Sequence, residues 1–185
     1  MVKNMTTFTE PTYSPGAVAT ITDAPPEHLR DWRRRDLLNL IGTAEENGRW
    51  KYSLRDVVAI WIGLRLSQHG RAMPLATAFN YGAGLAETVI NRFLARKVGI
   101  PTTGKRYAVT LADGDTKDGK TYGITTLRVA DLAELAGRDF DMLTVLDCER
   151  LAATIPPQIA GFLLVAAENE YEAMGLHRWT EGLDD

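Results

Sequence analysis

The stretch YSPGAVATITDAPPEHLRDWRRRDLLNLIGTAEENGRWKYSLRDV, residues 13–57, decides how the chain is read. Ser14-Pro15 supplies a helix N-cap followed by a proline at the first helical position, and Ala17, Val18 and Ile21 are spaced to pack inward. A short helix is therefore expected over 14–21. Thr22-Asp23-Ala24 reads as a turn, with Asp23 placed to cap a second helix over 25–38 and Glu27 near its positive end. Leu29 and Trp32 fall on the inner face of that helix, while Arg30, Arg33, Arg34 and Arg35 fall on other faces. Residues 39–47 have loop composition, and Gly48 precedes a short alternating strand, 49–52, that closes a hairpin. Ser53 and Asp56 form a short-armed capping box for a third helix that ends near Gln68, with Val57, Ile60, Trp61 and Leu64 on one buried face.

Helix, turn, basic helix and hairpin, in that order, is an arrangement that sets one helix in a DNA groove and a loop on the flanking phosphates. The arginine cluster carries the chemistry. A guanidinium fork binds phosphate or the O6/N7 edge of guanine through two parallel hydrogen bonds, and one helix can bring several into a major groove. Arg49, Lys51 and Arg55 add positive charge from the hairpin and the helix after it. Pro26 and His28 lie on the first turn of the basic helix and are counted with the DNA-contacting candidates; His28 either reaches a base or is simply an exposed polar residue. The opposing consideration is that Asp31 and Asp36 neighbour the arginines and would neutralise a merely solvated face.

The segment also resembles the MerR-type winged helix-turn-helix family, through Leu29-Arg30-x-Trp32 followed by Leu37-Leu38, and through Arg49-x-Lys51-Tyr52-Ser53-x-x-Asp56-Val57. The resemblance covers roughly residues 13–75. It implies that Arg30, Arg49, Lys51 and Tyr52 contact the DNA backbone and hold the wing, and that Trp32 combines packing with contact. Two departures accompany it. Asp36 stands where the family has glycine, and Gly82, Gly84, Gly99 and Pro101 interrupt the region where the family carries a long dimerisation helix. Excisionases and phage terminase small subunits carry similar winged domains.

Outward from this stretch, charge divides the 185 residues. Residues 1–106 hold 15 Lys+Arg against 9 Asp+Glu, a balance of +6, and residues 107–185 hold 6 against 15, a balance of −9, within a total of −3. A basic front suits a polyanion, whereas an acidic back suits protein, solvent or a cationic ligand. The organisation expected is α+β: a flexible arm over 1–12, a mostly helical winged helix-turn-helix domain over 13–98, a linker over 99–105 at the charge reversal, and a small acidic α+β domain over 106–185. Pro74 begins a helix that Gly82 and Gly84 break near Tyr81, and a further helix is expected over 85–97. Behind the linker come a strand over 106–112, a turn over 113–120, a strand over 121–127, a helix over 129–136 ended by Gly137, and a strand over 141–146. Asp147 caps a turn through Leu151, and Pro156-Pro157 opens an apolar helix over 158–174. Its stripe of Ile159, Phe162, Leu163, Ala166 and Ala167 is wide enough to suggest pairing with a second copy, or else it packs on its own three strands.

Catalytic and metal signatures are not found. His28, His69 and His177 lack metal-ligand spacing with Cys148, and no phosphate loop, nucleophile elbow or Cys-His pairing occurs. Residues 113–119 imitate a calcium loop but put Lys117 at a ligand position and lack the distant glutamate. Cys148, a lone cysteine between Asp147 and Glu149, reads as buried and unreactive. There is no signal-peptide core and no membrane-length apolar run, so a soluble, cytoplasmic protein is expected. The expected function is that of a sequence-specific, double-stranded DNA-binding transcriptional regulator, not an enzyme and without cofactor. It would be a homodimer through its C-terminal domain, which could also take a protein or small-molecule effector. Phage-type DNA binding for recombination or packaging is the first alternative, and a protein-interaction module without DNA binding the second.

Overall fold

In the computed structural model the described residues are 6–68, 73–102, 104–113, 123–138 and 142–173. Helix α1 (Thr6–Thr9) leads into α2 (Pro15–Thr22) and α3 (Pro26–Arg34), then a two-stranded sheet of β1 (Thr43–Ala44) and β2 (Trp50–Lys51), and the helices α4 (Leu54–Gln68) and α5 (Leu75–Lys97). A three-stranded antiparallel sheet follows, ordered β4-β3-β5, from β3 (Tyr107–Asp113), β4 (Gly123–Val129) and β5 (Met142–Asp147). A 3-10 turn (Leu132–Leu135) joins β4 to β5, and α6 (Cys148–Ala153) and α7 (Pro157–Ala173) complete the chain. The protein thus mixes helices with two small sheets, as the α+β expectation requires.

The helix starts follow local chemistry. Ser14 Oγ accepts from the Ala17 N–H at 3.3 Å with Pro15 behind it, which sets the entry of α2. At α4 the Asp56 carboxylate accepts from the Ser53 N–H at 2.8 Å while Ser53 Oγ accepts from the Asp56 N–H at 3.1 Å. Asp23 differs from expectation. It adopts a left-handed conformation (φ 55°) that closes α2, and α3 starts at Pro25-Pro26 with no side-chain cap. Helix α3 also stops four residues before Leu38, because Asp36 turns left-handed (φ 56°) and the chain folds back to bury Leu38 and Ile41.

Helix α4 forms the centre of the core. Val57 to Ile62 are all buried, so it presents no solvent face over that stretch, unlike the one-sided helix its spacing suggests. Helix α5 packs along it and runs unbroken for 23 residues through the positions where glycines were expected to interrupt it. Gly82 is there for proximity. A Cβ on it would lie 2.1 Å from the Ala59 carbonyl oxygen, so only glycine lets the two backbones approach this closely. The apolar interior of α5 is spent on this chain's own core.

The front and back halves share that core. On α7, Ile159, Leu163, Ala166 and Ala167 are buried, and among the described residues the helix packs chiefly on α1, α2, α4 and α5 rather than on the strands. Only Phe162 and Val165 of its large apolar residues stay exposed, with Phe162 set edge-on to Tyr13 at 5.8 Å between ring centroids. The loose arm expected over 1–12 is a docked element from Thr6 onward: Phe8 is buried, and the Thr7 N–H donates to Glu170 on α7 at 2.6 Å. Thr102 and Gly104, from the segment expected to be a linker over 99–105, are likewise held. Buried Arg92 of α5 donates to Glu149 of α6 at 2.7 Å, to Thr102 at 3.0 Å and to the Gly104 carbonyl at 3.3 Å. The charge reversal at this point is not accompanied by a break in packing.

The larger sheet follows the expected hairpin, with Tyr107 opposite Val129 and Asp113 opposite Gly123. Its connecting turn, including the calcium-like stretch, lies outside the described residues beyond Asp113. Ala108 and Leu146 point into the main core, whereas Val109, Val129 and Leu135 make a small second cluster on the opposite face. The helix expected over 129–136 is only the 3-10 turn, since Val129 still belongs to β4 and Asp131 with Glu134 forms a capping box around a single turn. Asp147 caps α6, accepting from the Glu149 and Arg150 N–H groups.

Candidate nucleic-acid interface

Helices α2 and α3 meet through a tight turn in which the Ala24 N–H donates to the Ala19 carbonyl at 3.0 Å and Ala24 is buried. Leu29 and Trp32 face inward, the Trp32 ring packing at 5.0 Å between centroids, tilted by 56°, against Phe79 of α5. The 3.6-residue period therefore turns Glu27, His28, Arg30, Arg34 and Arg35 outward, all exposed. Pro26 sits at the first position of α3, and the His28 ring lies 5.5 Å from that of Trp32.

The hairpin β1–β2 pairs Thr43 with Lys51 and Ala44 with Trp50. Its tip closes through the Glu45 N–H to the Arg49 carbonyl (2.7 Å) and the Gly48 N–H to the Glu45 carbonyl (2.9 Å). A third segment fixes its base: Tyr13 and Tyr52 exchange both backbone hydrogen bonds, at 2.8 and 2.9 Å. The chain two residues before α2 thus pairs with the end of the hairpin. Along β2 the pleat sends Trp50 and Tyr52 toward α3 and Arg49 and Lys51 to the other face.

Arg33 joins the two parts. Its guanidinium lies 3.6 Å from the centroid of the Trp50 ring and donates to the carbonyls of Leu38 (2.6 Å) and Ile41 and, at 3.4 Å, to the Tyr52 hydroxyl. Gly42 leaves room for this arrangement. Its φ is +81°, and a Cβ there would meet the Tyr52 ring at 2.8 Å and the Arg33 guanidinium at 3.0 Å.

The ten residues singled out from sequence separate by this geometry. Pro26, His28, Arg30, Arg34, Arg49 and Lys51 lie on the outer surface of α3 and the hairpin. Trp32 and Tyr52 are buried (6% and 1% exposed), so their side chains hold the scaffold and cannot lie on a polyanion. Arg33 is occupied by backbone carbonyls. Arg55 points away from the hairpin and donates to the Ala83 carbonyl of α5 at 3.2 Å. In the sequence Gly42 reads only as a loop residue and Trp50 only as part of the short strand, although the alternation of Trp50 with Tyr52 carries the signal for a buttressing face.

Charge on the outer face is mixed. Asp31 pairs with Arg34 at 2.7 Å and with Arg35 at 3.3 Å, and these hydrogen bonds hold its carboxyl below the usual range. The arginine side chains remain 80% and 61% exposed, and ion pairs in that setting are weak enough to exchange for another anion. Arg30, Arg49 and Lys51 make no ion pair among the described residues, while Glu45 and Glu46 lie exposed in the hairpin tip. Away from this face, Cys148 is fully buried; burial pushes its thiol pKa up, against the pull of nearby Arg128 and Arg92. Among the described residues no group of three or more His, Cys, Asp or Glu could hold a metal ion, and no helix is long and apolar enough to cross a membrane.

No protein-family model matches the chain, and no curated protein and no solved structure matches it either.

Proposed function

We propose that this chain binds double-stranded DNA as a MerR-like winged helix-turn-helix protein, used in regulating transcription. The observation that carries the reading is the locking of α3 to the β1–β2 hairpin by Arg33, which holds two basic outer surfaces in one fixed relation. Arg30, Arg34 and Arg35 on the helix would enter the major groove, and Arg49 and Lys51 on the hairpin would lie on adjacent phosphate. The backbone supports the same reading at Asp36, whose left-handed conformation is the one a glycine adopts most readily, at the position where the resembling family has glycine. Two copies paired through the C-terminal half would supply half-site symmetry, with Phe162 and Val165 of α7 as exposed apolar residues for the contact.

A second reading, a protein-interaction surface without DNA binding, is favoured by Asp31, Glu45 and Glu46 on the same face. Binding to genomic duplex fragments across a salt series separates the two. The comparison is wild type against an Arg30→Ala, Arg34→Ala, Lys51→Ala variant, all three side chains lying outside the core. Fragment-selective affinity that falls steeply with salt and collapses in the variant supports the DNA reading, because phosphate contacts release counterions. Salt-insensitive or absent binding overturns it, and selected fragments that are phage ends or attachment sites, strongly bent, would replace regulation with an architectural role.

A further inference from the structure

A cavity of about 460 Å³ opens between α4, the outer strand β5 and α6. Small-molecule sites commonly have this size. Leu66 and Leu146, both buried, give it an apolar floor, and Arg65 from α4 and Arg150 from α6 line it from separate elements, the Arg65 guanidinium also lying 5.8 Å from the centroid of the Trp61 ring. Asp147 also borders it, but its charge is already met: Arg106 grips both carboxylate oxygens, at 3.1 and 2.6 Å, and the Glu149 and Arg150 N–H groups donate to Oδ1. The Thr154 hydroxyl, also lining the cavity, directs its proton to the carbonyls of Arg150 and Leu151, which leaves its oxygen to accept. Arg150 makes no ion pair among the described residues.

We infer that this cavity is a binding site for a small organic anion with an apolar body, such as an aromatic or branched-chain carboxylate. Each part of that chemistry answers a feature of the site. A carboxylate takes two parallel hydrogen bonds from a guanidinium fork, an apolar body covers Leu66 and Leu146, and a cation would meet like charge. An inorganic anion would leave the apolar floor wet. The inference is independent of whether α3 binds DNA.

Calorimetric titration of the full chain with 2-naphthoate, beside its neutral analogue 2-naphthamide, tests it. Saturable binding of one naphthoate per chain is expected, at least about tenfold tighter than the amide. Arg150→Gln should weaken naphthoate about tenfold and Arg150→Glu more, while Arg138→Gln, at an exposed arginine that does not line the cavity, should leave it unchanged. Arg65→Gln repeats the test from the other wall, with thermal melts confirming that each variant is folded. Equal affinity for the two probes, binding indifferent to both Arg150 and Arg65, an equal loss in Arg138→Gln, or no saturation below about 1 mM would each overturn the proposal.

Discussion

The guanidinium of Arg33 lies over the indole of Trp50, 3.6 Å from the ring centroid, and its nitrogens end on the carbonyls of Leu38 and Ile41. One side chain thereby ties a helix, the turn after it and a hairpin strand. Arg33→Ala would strand those carbonyls and remove the cation from the ring, costing about 2–3 kcal/mol of stability. Arg33→Lys should recover little, since an ammonium lacks the planar fork that reaches both carbonyls while stacking. Arg30→Ala should change stability by less than about 0.5 kcal/mol. Urea denaturation of the three variants checks the contrast.

Asp31 holds Arg34 and Arg35 on the outer face of α3. If that face binds duplex DNA, Asp31→Asn removes a negative charge and releases both arginines. The expected outcome is a several-fold gain in affinity, with the slope of log affinity against log salt steeper by about one. An unchanged slope would place the arginines away from phosphate.

Two glycines in α5 should respond in opposite directions. Gly82→Ala drives a methyl group into the Ala59 carbonyl and forces α4 and α5 apart, for a loss of about 3 kcal/mol or more. Gly84→Ala meets nothing within 4 Å and should stabilise the helix by about 0.5–1 kcal/mol. Melting temperatures of the pair report both signs.

Burial pushes the Asp147 carboxyl upward, but its bonds to Arg106 and to the N–H groups of Glu149 and Arg150 outweigh this and leave its pKa below the usual value. A pKa lowered in the folded state makes the ionised form the stabilising one. Its contribution is complete above the ordinary carboxylate range and is lost as pH falls through the lowered value. Asp147→Asn keeps an oxygen to cap α6 but loses the charge that pairs with half-exposed Arg106, so it should cost less than about 1 kcal/mol near neutrality, and the gap from wild type should close in acid. Denaturation midpoints measured from neutral pH down through the carboxylate range test the convergence.

Local chemistry was legible in the amino-acid order. Ser14, the Ser53–Asp56 box and Asp147 each act on amides two or three residues away, so their partners are present in the same short window. The β3–β4 hairpin was legible for a similar reason, because alternation records which face is buried. Glycine misled at Gly82. As a string it reads as a helix breaker, and in the fold it sits mid-helix because another backbone passes against it. The candidate face was legible as a set of residue types, but the division of labour within it was not. Arg30 and Arg33 are identical side chains three positions apart, and only the neighbouring Trp50 and Gly42 make one a clamp and leave the other exposed.

The sequence by itself determined the helix starts at Ser14, Ser53 and Asp147, the β3–β4 hairpin and the presence of a basic front, since capping, pleat alternation and charge depend on neighbours along the chain. Only the tertiary structure decided that both halves share one core, that Tyr52, Arg33 and Arg55 are spent on packing, and that Arg65 and Arg150 line one cavity. Those outcomes depend on contacts such as Thr7 with Glu170, 163 residues apart, for which no local pattern is written. Burial of apolar surface favours any close-packed partner of suitable shape, and shape emerges only when the elements have assembled.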